Sequence, residues 1–205
     1  DKILMGLEWE GFSLSEFEVK TLSYHEAGHA LLAALLPDAD PIHKVSIVPR
    51  GKAMGVTQQL PEGDKYIFSK AYLLDRLTVM MGGRAAEELA FQSTSSGAQD
   101  DLKRGTQLAR KMVLDWGMSE KLGPVALGSG PDQNFLGDEV GNAKAYSEAT
   151  AREIDMEIKH ILDQAYEKAM DTLEAHRKDL DAIAETLMAQ EEMTGEEVLQ
   201  LITSE

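Results

Sequence analysis

The chain has 205 residues, 43% of them hydrophobic, with 36 acidic against 20 basic side chains and a formal net charge of −16. That is enough for one large domain or two small ones with a sizeable core. The acidic balance argues against nucleic acid as a partner and against direct contact with an anionic membrane surface, since both call for a basic face. Without cysteine there is no disulfide framework and no thiolate metal site. No run approaches the roughly 18 apolar residues of a membrane helix, and the start does not read as a signal peptide.

Residues 1–12 are expected to connect to a missing upstream module. A first helix is expected over 13–36. Ser13 and Glu16 fit a capping box; Phe17, Leu22, Ala27, Ala30, Leu31, Ala34 and Leu35 then recur at roughly helical spacing, and Pro37 stops the pattern. Inside this helix lies Tyr24-His25-Glu26-Ala27-Gly28-His29, an H-E-x-x-H sequence. His25 and His29, four residues apart, share one helix face. Two imidazole nitrogens so placed can bind one Zn²⁺. Glu26 can reach a water on the open side of that metal and act as its general base toward a peptide carbonyl. Gly28 costs about 1 kcal/mol in a helix interior relative to Ala. It therefore points to a close approach of another backbone, or of substrate, at the metal face.

Pro41 to Pro49 reads as a strand, carried by Ile42, Val45, Ile47 and Val48. Arg50-Gly51-Lys52 is a turn. Ala53 to Leu60 is a shorter, polar strand that suits a sheet edge, broken by Pro61-Glu62-Gly63-Asp64. A second helix is expected over Ser69–Phe91, interrupted by Gly82-Gly83, a pair that signals tight packing. Gln92–Ala98 is a loop. A third helix covers Gln99–Trp116, with two aspartates in its first turn, where the helix dipole favours acids, and Gly117 as its stop. Residues 117–142 read as irregular, with one short strand, Val125-Ala126-Leu127. A long helix follows from about Asn142 to His176, then two more at about 178–190 and 195–203, the last opened by the capping box Thr194-Gly195-Glu196-Glu197. The fold class is mainly α with a small sheet.

Catalytic zinc takes three protein ligands and one open position. Leu32 and Leu35-Leu36 occupy the places where a metzincin carries its glycine and third histidine, so the third ligand is a downstream acid. Glu87 and Glu88 on the second helix and Asp100 and Asp101 on the third are about equally suited. One of the glutamates must face the core, where an acid has to be paired or metal-bound, while the aspartates follow a loop into a helix. His43 is a weaker candidate.

The segments YHEAGHALLA (24–33), HKVSIVPRG (43–51), GVTQQLPEGD (55–64), GGRAAEEL (82–89), SSGAQDDL (95–102), MVLDWGMSEKLGPVAL (112–127) and TGEEVL (194–199) together resemble the protease domain of the FtsH family, membrane-anchored ATP-dependent zinc proteases of the AAA+ group. They span nearly the whole chain in the family's order. The resemblance implies a helical zincin-like protease domain over 13–205, with a core of about 13–130 and C-terminal helices of about 142–203. It implies one Zn²⁺ per chain, held by His25, His29 and Asp101, with Asp101 chosen because the family has an aspartate there. Asp100 stands where the family commonly has Asn. Glu87, Glu88 or Asp100 would then support the ligands, as carboxylates that orient a metal-bound histidine do. Substrate is expected to add a strand along Gly55, Val56, Thr57 and Gln58. The resemblance further implies a homohexamer acting on unfolded, misfolded or short-lived membrane and soluble proteins. Its anchor would lie in the inner or plasma membrane, with this domain in the cytoplasm, matrix or stroma. ATP and Mg²⁺ would belong to an ATPase module outside this chain, which has no phosphate-loop motif. The chain departs from the family at Trp9-Glu10-Gly11-Phe12, where an Arg-rich run is common, and at Gly105, where alanine is usual. Rival readings are a silent metal-binding or oligomerisation module, against which the intact Glu26 speaks, and another zinc hydrolase such as a deaminase, against which the absence of cysteine speaks.

Overall fold

The computed structural model describes residues 14–49, 54–60, 63, 66–128 and 146–202. The expected connector over 1–12, the turn at Arg50-Gly51-Lys52, most of the break at 61–64 and most of the irregular stretch before 146 lie outside these residues.

Helix α1 (Glu16–Leu35) begins two residues later than the Ser13 box predicts. The sequence holds two overlapping S-x-x-E matches, and Ser15 with Glu18 forms the box: the Glu18 N–H donates to Ser15 Oγ at 3.3 Å and the Ser15 N–H to Glu18 Oε2 at 2.8 Å. This register puts Val19, which packs against the core, at the fourth helical position. The earlier one would have put Phe17 there, and Phe17 is 69% exposed. Every residue from Ser23 to Ala33 is buried, so α1 is the central helix, covered on all sides.

The two expected strands appear as β1 (Ile42–Ser46) and β2 (Val56–Gln59), paired antiparallel with Val45 opposite Thr57. A third strand, β3 (Glu192–Thr194), was not foreseen. It pairs antiparallel with the other side of β1, Val45 opposite Met193, giving the order β2-β1-β3 and leaving β2 at an edge. Three residues are too few to show alternation.

Helix α2 (Lys70–Phe91), capped by Ser69, runs unbroken through Gly82-Gly83, so the predicted interruption does not occur. The glycines serve contact instead. A Cβ on Gly28 would stand 2.3 Å from the Gly82 carbonyl oxygen, and one on Gly82 would stand 2.9 Å from the Gly28 carbonyl oxygen. The backbones of α1 and α2 meet there, and close packing offsets the propensity cost of glycine.

Helix α3 (Gln99–Leu114) ends two residues before the predicted Trp116. Val125-Ala126-Leu127 forms no strand. Its end folds back instead, and the N–H groups of Leu127 and Gly128 donate to the Leu114 carbonyl at 2.8 and 3.0 Å, satisfying the end of α3. Gly117, at φ +57°, makes the turn that permits this. Helix α4 (Glu148–Ala175) starts at the Ser147 cap rather than near Asn142, and buries Ile154, Ile158, Ile161, Ala165, Ala169 and Leu173 along one face. Helix α5 (Arg177–Gln190) and helix α6 (Gly195–Leu201), the latter with the predicted Thr194–Glu197 box, complete a mainly helical fold.

Candidate metal centre

Helix α1 carries His25, Glu26 and His29 in its buried middle, each less than 10% exposed. Three polar side chains at that depth need partners, and α2 and α3 supply those of the histidines. His29 Nδ1 lies 2.7 Å from the Val79 carbonyl oxygen, which can only accept, so this nitrogen carries the proton. His25 Nδ1 lies 2.7 Å from Glu87 Oε1. Both rings thus turn Nε2 the same way, toward Asp101 in the first turn of α3. Nε2 of His25 and of His29 are 3.1 Å apart, and Asp101 Oδ2 is 3.2 Å from the first and 3.3 Å from the second.

This triangle fits zinc. Donors about 2.0–2.1 Å from a tetrahedral ion stand about 3.3 Å from one another. Two imidazole nitrogens and one carboxylate oxygen are a common donor set for a catalytic ion, and outer carboxylate and carbonyl acceptors fixing the rings are its usual accompaniment. Asp101 is only partly buried, with a side chain 20% exposed, so the open side of the triangle faces solvent.

The electrostatics agree. Burial alone would lower the His25 pKa, but hydrogen bonds to Asp101 and Glu87 and the charge of Glu26 outweigh it and push it up to about 10. Burial would raise Asp101 and Glu87, yet bonds to His25 and His29 hold Asp101 well below the usual carboxylate range. Bonds to His25 and to the Ser95 N–H (2.6 Å) hold Glu87 down too. The centre is a concentration of negative charge that favours a cation between the rings.

Glu26 points away from Glu87, toward β2. The Thr57 hydroxyl donates to Glu26 Oε2 at 2.7 Å, and a Cβ on Gly55 would stand 2.7 Å from Glu26 Oε1. Gly55 is therefore glycine because the carboxylate occupies that space. The triangle, Glu26 and β2 line a cleft of about 1150 Å³. Val56, Thr57 and Gln58 form one wall, and Gln58 Oε1 is buried without a hydrogen-bond partner among the described residues.

The remaining candidates fall elsewhere. Asp100 is exposed on the cleft rim, outside the three-donor group. Glu88 accepts a hydrogen bond from the Tyr166 hydroxyl of α4. His43 is exposed on β1. Three participants were not singled out from sequence: the Val79 carbonyl, the Ser95 N–H and Gly83. Gly83 had a signal in the glycine pair. A Cβ there would stand 2.4 Å from Cε1 and Nε2 of His25, so the ring fills the space a side chain would take.

Comparison with known proteins agrees with the geometry. The chain is 53% identical over its full length to "ATP-dependent zinc metalloprotease FtsH 2" of Salinibacter ruber, of which it covers 30%. It is 50% identical over its full length to "ATP-dependent zinc metalloprotease FtsH" of Pelobacter propionicus, of which it covers 33%. It is 48% identical to an FtsH 2 of Methylacidiphilum infernorum over 98% of the chain and 32% of that protein. The chain thus spans about a third of the length of these relatives. Among its described residues no helix is long and apolar enough to cross a membrane. Residues 13–201 match the description "Peptidase family M41", and the chain belongs to that family.

Proposed function

We propose that this chain is the endopeptidase domain of an ATP-dependent, membrane-anchored protease, and that His25, His29 and Asp101 hold its single zinc ion. The observation that carries this is the triangle of 3.1–3.3 Å between their donor atoms, opening on a cleft that Glu26 also faces. Zinc supplies Lewis acidity that makes an attacking water more acidic and polarises a carbonyl. The chain's own residues do the rest. Glu26 accepts the proton of the attacking water and returns it to the leaving amine. Thr57 steadies the Glu26 carboxylate, and Glu87 and the Val79 carbonyl fix the two rings with Nε2 toward the site.

Substrate lies extended along the edge strand at Gly55, Val56, Thr57 and Gln58, pairing through backbone groups. Backbone pairing is insensitive to side-chain identity, which suits a protease that degrades unfolded chains. Gln58 Oε1, buried in the cleft wall without a partner among the described residues, is a spare acceptor for a substrate N–H. In this reading residues 13–205 are the protease domain and 1–12 lead from the parent protein's ATPase module, which uses ATP and Mg²⁺ and feeds misfolded or short-lived proteins to a homohexamer. The parent's anchor holds this domain beside the inner or plasma membrane, in the cytoplasm, matrix or stroma.

The test is zinc content and casein cleavage of the purified protein, beside Glu26→Gln, Asp101→Ala and Val56→Pro. Wild type carrying about one zinc and cutting, Glu26→Gln carrying zinc but dead, and Asp101→Ala poor in zinc is the expected pattern. A wild type that binds no zinc removes the metal centre. A folded Val56→Pro that cleaves peptides normally removes the substrate strand.

A further inference from the structure

The cleft has two unlike ends. At one end Gly55, just before β2, lies against Leu22, to whose Cδ1 a Cβ would stand 3.0 Å, and Leu14 and Phe17 also line the cleft. Thr57 marks the middle, over Glu26. The far end is fixed by Gln59, whose Nε2 donates to the Asp40 carbonyl, and by Tyr72 of α2, whose hydroxyl donates to Asp40 Oδ2 at 2.6 Å. Arg76 follows Tyr72 by one turn on α2 and lines this end. Lys103 and Arg104 line the cleft from α3. Beside them Gly105 packs on α2 one residue past Arg76, where a Cβ would stand 2.8 Å from Met81 Cε and 3.8 Å from Leu77 Cδ2.

These three cations stand out against a chain with 36 acidic and 20 basic residues. All three are exposed, and none has an ion-pair or hydrogen-bond partner among the described residues. Most of the acids that line the cleft are engaged otherwise, Glu26 by Thr57, Asp101 by the histidines, Asp40 by Tyr72 and Glu18 by its capping box; Asp100, exposed on the α3 rim one turn before Arg104, is the exception. No structural partner accounts for a basic wall at this end of the cleft, whereas a carboxylate carried in by an extended chain would complete it.

We propose that Arg76, Lys103 and Arg104 form a subsite for acidic side chains of the substrate. The inference rests on the protease reading of the cleft. From Thr57 to Gln59 is about 7 Å of strand, so the subsite takes a side chain two to four residues from the scissile bond, on one flank only. Exposed guanidinium–carboxylate pairs are individually weak, and two acting together give a preference of about three- to tenfold. The contact exists before and during reaction, so it shows mainly in KM. Salt weakens it.

The test is a set of fluorogenic peptides, neutral apart from a single Glu, Ala or Lys scanned through positions on both flanks, cut by the zinc-loaded protein. Wild type is expected to favour Glu over Lys at positions on one flank by about three- to tenfold in kcat/KM, less in 0.5 M salt. Arg76→Glu and Arg104→Glu should each reverse that ratio. The same positional profile in wild type and both variants, or a flat profile in wild type, overturns the subsite. Cleavage of the neutral peptide by wild type keeps the protease reading intact in either case, and its absence overturns both.

Discussion

Replacing Gly83 by alanine separates the helix from the site it carries. On α2 alone the change is favourable, since alanine gains about 1 kcal/mol over glycine in a helix interior. The structure sets against this a Cβ 2.4 Å from Cε1 and Nε2 and 2.6 Å from Nδ1 of His25. Carbon and nitrogen atoms need about 3.5 Å, so the ring must retreat by about 1 Å. His25 is held on both sides, by Glu87 at 2.7 Å and toward Asp101 at 3.2 Å, and a shift of that size takes at least one of these out of hydrogen-bonding range. A histidine that loses its orienting partner costs a metal site about 10- to 100-fold in affinity, which is about 1.4–2.7 kcal/mol. We therefore expect Gly83→Ala to fold with near-normal helix content, to bind zinc 10- to 100-fold more weakly in a chelator competition, and to lose cleavage in proportion at limiting zinc. Zinc affinity within twofold of wild type would refute the claim that the missing side chain makes room for the ring.

Gly105→Ala is the contrasting case: its Cβ would crowd only the far end of a flexible side chain, Met81 Cε at 2.8 Å, and make ordinary contact with Leu162 and Leu77 at 3.6 and 3.8 Å. It should stabilise the fold by up to about 1 kcal/mol in urea denaturation without altering zinc content; a loss of stability would show that Met81 has nowhere to go. Thr57→Val removes the hydroxyl that holds Glu26. Zinc content should stay at one per chain while kcat falls about tenfold or more; an unchanged kcat would mean that Gly55 and the metal suffice to place the carboxylate. Tyr166, desolvated and bonded to Glu88, has its pKa raised to about 12 from the ordinary 10. A raised folded-state value means that its contribution is complete below pH 10 and is lost as pH climbs from 10 to about 12. Thermal melts across that range should fall more steeply for wild type than for Tyr166→Phe, and parallel curves would contradict it.

What could be read from sequence follows the range over which each signal acts. The histidine pair, Glu26 and the helix that carries them are local, within one turn, and periodicity sufficed. Asp101, the third donor we propose, lies 72 residues beyond His29 by number, and no local rule ranks it above Glu87; only the family resemblance did, and in space both acids reach His25, on opposite sides of one ring. Strand β3 escaped because three residues carry no alternation, and their pairing with β1 comes from a turn between α5 and α6. Val125-Ala126-Leu127 looked like a strand because β-formers do, but the open carbonyl of Leu114 claimed its backbone first. The overlapping serine boxes at 13 and 15 were equal in pattern, and core packing of Val19 decided between them.

The glycine pair shows how one motif can hold two messages. Val79, Gly83 and Glu87 are spaced by four, so they form one stripe along α2, and that stripe faces the His25–His29 stripe of α1. Its members present, in order, a carbonyl to His29, an absent side chain to His25 and a carboxylate to the far side of the same ring. Gly82 and Ala86 form the neighbouring stripe, which meets Gly28 and sets how closely the two helices approach. The spacing of α1 and α2 therefore fixes the two Nδ1 contacts, and through them the direction of both Nε2 atoms. A bulkier residue at 28 or 82 would act at a distance on the metal triangle, by moving the helix that aims the rings. Packing and ligand geometry are one constraint here, and that is why this pair of helices carries glycines where propensity alone would have placed alanine.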